Sequence, residues 1–173
     1  MKPQILFRKI HHWGSFAIAI PMVIVITTGI LLQVKKEISW VQPPTAKGVE
    51  RTATPTMPVE QLFEVAKAIP EMELKTWDEL ERADFKPGKG VVKFVAPNNW
   101  EAQIDTHTGE VLALNYRRSD IIEKIHDGSW FAEWAKLWVF LPNGVALFIL
   151  WLTGMYLFAL PHIKKAQKKK KKR

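Results

Sequence analysis

The chain has 173 residues, no cysteine and a formal net charge of +8. The absence of cysteine excludes disulfides, thiol catalysis, iron–sulfur clusters and cysteine-ligated zinc. The positive charge does not indicate a nucleic-acid partner, because the basic excess flanks two long apolar segments, whereas all 17 aspartates and glutamates lie between those segments.

The first apolar segment follows a short basic amino terminus, residues 1–13. Residues 14–34 carry no charge, and at a rise of ~1.5 Å per residue they are long enough to cross a hydrocarbon core of ~30 Å. Lys35-Lys36-Glu37 follows where a small-residue cleavage site would lie, so we interpret the segment as a retained signal anchor. The preceding basic residues place the amino terminus in the cytoplasm.

Residues 35–57 are rich in proline and threonine and are typical of an extended linker. Residues 58–118 predict a small α+β domain, with one amphipathic helix from Val59 to Ile69 that Pro70 ends. Alternating apolar residues and turn residues predict a three- or four-stranded antiparallel sheet. Its predicted strands are Val91–Val95, Trp100–Ile104, Val111–Asn115 and, as an extra strand, Leu80–Phe85.

Residues 119–136 predict a helix at the outer membrane surface, with Ser119 as its N-cap and Gly128 at its end. The second apolar segment, residues 137–160, predicts a second transmembrane helix. Residues 161–173 form a lysine-rich tail without an acidic residue, which places the carboxyl terminus in the cytoplasm. The tail either contacts anionic membrane lipid or serves only as a cytoplasmic anchor.

Five histidines are the main candidates for membrane chemistry. His107 lies in a predicted hairpin turn and is expected to be solvated. The other four, His11, His12, His126 and His162, lie at the ends of the spans. Apolar helices that carry neutral imidazoles are suited to axial ligation of haem iron. Interfacial histidines beside tryptophan are also common as headgroup-level amphipathic residues, so spacing alone leaves both interpretations open.

Antiparallel spans would bring His11 or His12 to the same depth as His162, with His126 ~25–30 Å away by helix rise. Because one chain has only two spans, a homodimer forming a four-helix bundle would be the natural enclosure for two stacked haems. Thr27-Thr28-Gly29 and Thr153-Gly154 predict surfaces for close helix packing. The sequence has no glycine-rich phosphate loop, no zinc-protease motif and no recognisable nucleophile site.

These residues together resemble a known family, the PepSY-associated transmembrane proteins of bacteria in their short two-span form. The resemblance covers nearly the whole chain. It rests on four motifs in order: Arg8-Lys9-Ile10-His11-His12-Trp13-Gly14 with the later Thr28-Gly29, Trp100 to Leu112 including Asp105-Thr106-His107-Thr108-Gly109, His126-Asp127-Gly128-Ser129, and Thr153-Gly154.

The resemblance implies two antiparallel transmembrane helices in the bacterial cytoplasmic (inner) membrane and a small α+β PepSY-like domain in the periplasm. Larger relatives look like haem-containing ferric or ferric-siderophore reductases. Their haem ligands correspond by position to His11 and His126. His12 stands where the family often has arginine, and His162 has no known family role.

The expected function is therefore haem b-dependent electron transfer across the membrane, with ferric iron or a ferric siderophore as acceptor. The chain would then be a ferric reductase or an electron-transfer subunit of a larger membrane complex. The alternative is a non-enzymatic, membrane-anchored PepSY module that binds or regulates a periplasmic partner such as a peptidase. No nicotinamide or flavin site is recognisable, so an electron donor would be another protein, a quinol or a soluble reduced cofactor.

Overall fold

A computed structural model describes residues 3–50 and 55–171 of the chain. The elements in chain order are α1 (Pro3–Gln33), α2 (Val59–Lys67), β1 (Arg82–Lys86), β2 (Val91–Val95), β3 (Trp100–Asp105), β4 (Val111–Tyr116), α3 (Arg118–Asp127), α4 (Glu133–Ala135) and α5 (Leu141–Lys171). They form two compact units: a helix unit of residues 1–30 and 124–173, and a sheet unit of residues 31–123.

Two long apolar helices, α1 and α5, dominate the helix unit. They run antiparallel, because Gln4 near the start of α1 accepts a hydrogen bond from Lys164 near the end of α5, at 3.1 Å. Only 11% of the most apolar window of each helix is buried, so neither resembles the core helix of a soluble protein. The prediction of two apolar helices flanking a small domain is confirmed. The side chains of the terminal lysines 168–172 and of Arg173, which were expected to meet lipid, lie outside the described residues.

A π-helical turn, Lys136–Phe140, connects α4 to α5. Asn143 follows it and donates a side-chain hydrogen bond to the carbonyl oxygen of Val139 at 2.6 Å. Such wide turns leave backbone carbonyls short of partners, and the Asn143 amide satisfies one of them.

The sheet unit contains a four-stranded antiparallel sheet in the order β1-β2-β3-β4. Each strand pairs with its neighbour in sequence, and a register shift between Gln103 and Ile104 interrupts the β3–β4 ladder. The fourth strand expected at Leu80–Phe85 is present, although it begins at Arg82 and ends at Lys86.

Helix α2 covers one face of this sheet. Its buried residues Leu62, Phe63 and Ala66 pack against Phe94 of β2 and Ile104 of β3. The helix ends at Lys67, three residues before the proline that was expected to end it. This face contains the apolar core of the unit.

The opposite face of the sheet is polar and buried, and residues 41–50, which we call the strap, lie across it. Gln103 donates to the carbonyl oxygen of Pro44 at 3.0 Å and accepts from the amide of Ala46 at 2.7 Å. The amide of Val49 donates to Asp105 Oδ2 at 2.7 Å. Residues 41–50 belong to the segment expected to be a linker; they have no regular secondary structure, but they are bound to the sheet.

A group of ion pairs occupies the same polar face. Glu101 is fully buried and accepts from Lys93 Nζ at 3.0 Å and from the guanidinium of Arg117. Burial by itself would lower the pKa of Arg117, but hydrogen bonds and charge from Asp120 and Glu101 outweigh it and raise that pKa. Burial would likewise raise the pKa of Asp120, yet Arg117 and Arg82 hold it below its usual value. The buried charges are thus paired, as burial requires.

Helix α3 begins at Arg118, so the prediction of Ser119 as its N-cap is wrong. Ser119 lies in the first turn, where its backbone amide donates to the carbonyl oxygen of Val41 at 2.8 Å. Arg118 also stacks over the ring of Trp40 at 4.8 Å. These contacts hold the start of α3 and explain why the helix begins one residue early. The predicted end is confirmed: α3 stops at Asp127, and Gly128 has φ +86°.

Candidate functional site

His11 of α1 lies against a Thr-Gly pair of α5. Its Nδ1 atom is 3.3 Å from Thr153 Oγ1, and Thr153 is only 6% exposed. A Cβ atom added at Gly154 would lie 3.3 Å from His11 Cε1, closer than ordinary van der Waals contact. The absence of a side chain at Gly154 is therefore what allows the imidazole to approach α5. We call His11, Thr153 and Gly154 the His11 cradle.

His126, the second-last residue of α3, lies against a Thr-Gly pair of α1. Its Nδ1 atom is 2.9 Å from Thr28 Oγ1, and Thr28 is 8% exposed. A Cβ atom added at Gly29 would lie 3.3 Å from His126 Cε1. We call His126, Thr28 and Gly29 the His126 cradle.

The two cradles repeat one arrangement in opposite directions. In each, a histidine meets the Thr-Gly pair of a long helix to which it does not belong, with Nδ1 near the threonine hydroxyl and Cε1 near the glycine. His11 and Thr28 are 17 positions apart on α1, which is about 25 Å of helix rise. The Thr-Gly pairs, predicted only as packing surfaces, thus contact the two histidines carried over from the family resemblance.

Each histidine also borders an apolar hollow. The His11 hollow has a volume of about 420 Å³ and is lined by residues that include Ile18, Met22, Leu147, Leu150 and Trp151. The His126 hollow has a volume of about 360 Å³, and its lining includes Met22, Val25, Phe140, Leu141 and Leu147. Within the described residues neither histidine has a hydrogen-bond partner at Nε2. Both sites therefore combine an unengaged ring nitrogen with an apolar wall.

The other three histidines lie elsewhere. His12 is exposed and packs edge-on against Trp13, with ring centroids 5.3 Å apart. His162 is exposed, and its Nδ1 is 3.2 Å from the carbonyl oxygen of Phe158. Neither lines the His11 hollow. His107 lies in the turn after β3, with Nδ1 3.1 Å from Thr56 Oγ1.

Asp127 follows His126 directly, and its carboxylate organises the turn after α3. Its Oδ1 accepts from both the amide and the hydroxyl of Ser129, at 2.9 and 2.7 Å, and its Oδ2 pairs with Lys136 at 2.8 Å. Burial by itself would raise the pKa of Asp127, but the partners Lys136 and Ser129 hold it below its usual value. The carboxylate is thus engaged in structure, and Asp127 and Lys136 both also line the His126 hollow.

Among the described residues no three or more His, Cys, Asp or Glu side chains cluster closely enough to hold a metal ion. A cofactor that brings most of its own ligands, and needs one or two imidazoles, remains compatible with single histidines in apolar hollows.

In a comparison with protein families, the model described as the PepSY-associated TM region matches residues 8–173. No curated protein and no solved structure matches the chain significantly. The matched range includes α1 from residue 8 onward, all of α5, both cradles and the sheet unit.

Proposed function

Because this chain belongs to the PepSY-associated TM family, we propose that it binds haem b in the membrane and carries electrons from one side of the membrane to the other. The observation that carries this proposal is the pair of cradles. Two histidines about 25 Å apart each lie beside an apolar hollow, and within the part of the chain that the structure describes neither has a partner at Nε2.

The residues present suit a haem. A haem iron takes neutral imidazole nitrogen as an axial ligand, and its macrocycle requires apolar walls. His11 and His126 would supply the nitrogens, and aliphatic and aromatic side chains of α1 and α5 would supply the walls. When bound, the haem supplies a redox centre that cycles between ferric and ferrous iron.

Completion of the site requires a second copy of the chain. Each level has one cradled histidine per chain, and a second copy of the chain would supply a second imidazole at each level. The long helices leave most of their apolar surface uncovered by the chain itself. A homodimer would pair His11 with the partner's His11, and His126 with the partner's His126, inside a four-helix bundle. Two haems per dimer follow from this arrangement.

The charge pattern supports a direction for the proposed electron transfer, and the family resemblance suggests an electron acceptor. Basic residues lie before the first apolar segment and after the second, next to the two chain termini. This pattern favours cytoplasmic termini and a periplasmic sheet unit in the bacterial inner membrane. Electrons would then pass from the His11 level to the His126 level. Ferric iron or a ferric siderophore is the proposed acceptor, so the activity would be that of a ferric reductase or an electron-transfer subunit.

Absorption spectroscopy of the purified full chain tests the proposal. Protein extracted in detergent from haem-replete cells should show a Soret band and about one haem per chain. His11→Ala and His126→Ala should each remove about half of the haem, because each disrupts one level. His107→Ala is the matched control, since that residue lies in the turn of the sheet unit, and should leave the spectrum unchanged. A colourless wild-type preparation would reject the proposal.

The competing function is a membrane-anchored PepSY module that binds a periplasmic partner such as a peptidase. The sheet supports this candidate, because within the described residues β1 and β4 have one unpaired edge each. An unpaired edge can accept a strand from another protein. This function would not need the histidines, so a colourless protein whose sheet unit retains a bound peptidase would favour it.

A further inference from the structure

The hydroxyls of Thr28 and Thr153 have a second hydrogen-bond partner on their own helices. Thr28 Oγ1 lies 2.6 Å from the carbonyl oxygen of Ile24, and Thr153 Oγ1 lies 3.0 Å from that of Leu150. A carbonyl oxygen has no proton to give, so the hydroxyl must donate in both contacts. The single proton of each threonine hydroxyl is therefore already used within its own helix.

Because the hydroxyl proton is used in this way, it determines which ring nitrogen of each imidazole carries a proton. With its proton on the carbonyl, Thr28 Oγ1 can only accept at its 2.9 Å contact with His126 Nδ1, so the ring proton must be on Nδ1. The same reasoning applies to Thr153 and His11, at a longer distance of 3.3 Å. A neutral imidazole has one ring proton, so Nε2 keeps its lone pair.

We propose that Thr28 and Thr153 are positioning residues that hold His126 and His11 in the Nδ1-protonated tautomer, with Nε2 presented to haem iron. The proposal deepens the haem function and rests on it for its purpose. The outer partner of a metal-bound histidine selects its tautomer and ring orientation, and loss of that partner weakens binding about 10- to 100-fold. The glycine of each cradle lets the ring approach the threonine.

Nitrogen-15 NMR of the full chain labelled at histidine, prepared without haem in detergent at pH 8, tests the tautomers directly. His11 and His126 should show a protonated Nδ1 and an unprotonated Nε2. Thr28→Val should redistribute the proton at His126 alone, and Thr153→Val at His11 alone, whereas the corresponding serine variants should restore the wild-type pattern. Thr27→Val is the matched control, because Thr27 is exposed beside the buried Thr28.

Haem titration of the same proteins supplies the second measurement. Each valine variant should weaken haem binding about 10- to 100-fold at one level, and the serine variants should bind like wild type. A protonated Nε2 in the wild type, or valine variants that bind haem with wild-type affinity, would overturn the positioning role. Predicted tautomers in a protein that takes up no haem would support the threonine assignment and reject the haem function, so the two failures can be told apart.

Discussion

Replacing Asp105 with asparagine should release the strap from the sheet and leave the turn after β3 in place. Asp105 Oδ2 accepts from the amide of Val49 at 2.7 Å, while Oδ1 accepts from the amides of His107 and Thr108 at 2.7 and 3.0 Å. Asparagine has only one acceptor oxygen. If that oxygen serves the two turn amides, the NH₂ group faces the Val49 N–H, and the bond to the strap is lost.

A hydrogen bond to a charged group contributes about 1.5–3 kcal/mol. Since about 1.4 kcal/mol is a factor of ten in an equilibrium constant, Asp105→Asn should raise local opening of the strap about 10- to 100-fold. Hydrogen–deuterium exchange of the detergent-purified chain at pH 7 measures this opening. Amides of residues 45–50 should exchange faster by that factor, and those of β2 should be unaffected. Asp78→Asn, at an exposed carboxylate, is the control.

Unchanged exchange at residues 45–50 would refute the role of Asp105 in holding the strap. Acid provides a second check. Burial by itself would raise the pKa of Asp105, but the amides of Val49, Thr108 and His107 outweigh it and hold the pKa below its usual value. The stabilisation that the Asp105 carboxylate gives to the strap is then complete at neutral pH. It is lost as the pH falls below about 4 and through the lowered pKa of Asp105 in the folded protein. The difference between wild type and Asp105→Asn should shrink over that range.

Two further substitutions test the sheet unit. Glu101→Gln removes the carboxylate that pairs with buried Lys93, so it should lower the free energy of unfolding by roughly 3–5 kcal/mol. Urea denaturation measures this loss, and an unchanged midpoint would contradict the prediction. Gly109→Ala should cost about 1–2 kcal/mol, measured by thermal unfolding, because Gly109 has φ +74° and an added Cβ would lie 2.8 Å from Met57 Sδ. Gly88→Ala is the control, since among the described residues no atom beyond its chain neighbours lies within 4 Å of a Cβ added at Gly88. Equal losses of stability in the two variants would refute the reasoning.

Periodicity predicted the elements whose buried and exposed residues alternate. Strand β3 is the clearest case, because Ala102 and Ile104 face the apolar core, while Glu101 and Gln103 face the polar side. The edge strand β1 was placed less accurately, because its alternation rests on only two apolar residues, Ala83 and Phe85, and neither of them is buried. Polar residues of β3 that look solvent-exposed in the sequence are buried, because the strap covers them.

The candidate histidines could be found from the sequence, but the cradles could not. His11 and Thr153 are separated by 142 positions, and a local pattern reports only spacings within one helix. A Thr-Gly pair in an apolar segment is typical of close helix packing. The available signal was repetition: each long helix carries one Thr-Gly pair, and each pair has a histidine at the same end of the antiparallel helix pair.

The two hollows share Met22 of α1 and Leu147 of α5 in their linings. If haem occupies both levels, these two side chains form the medium between the cofactors. The rate of electron tunnelling falls steeply with the length of the gap, and the bulk at these positions helps to set that length. Met22 and Leu147 would then influence the rate of electron transfer between the haems without supplying a ligand, and the same two side chains would form part of the wall of both sites.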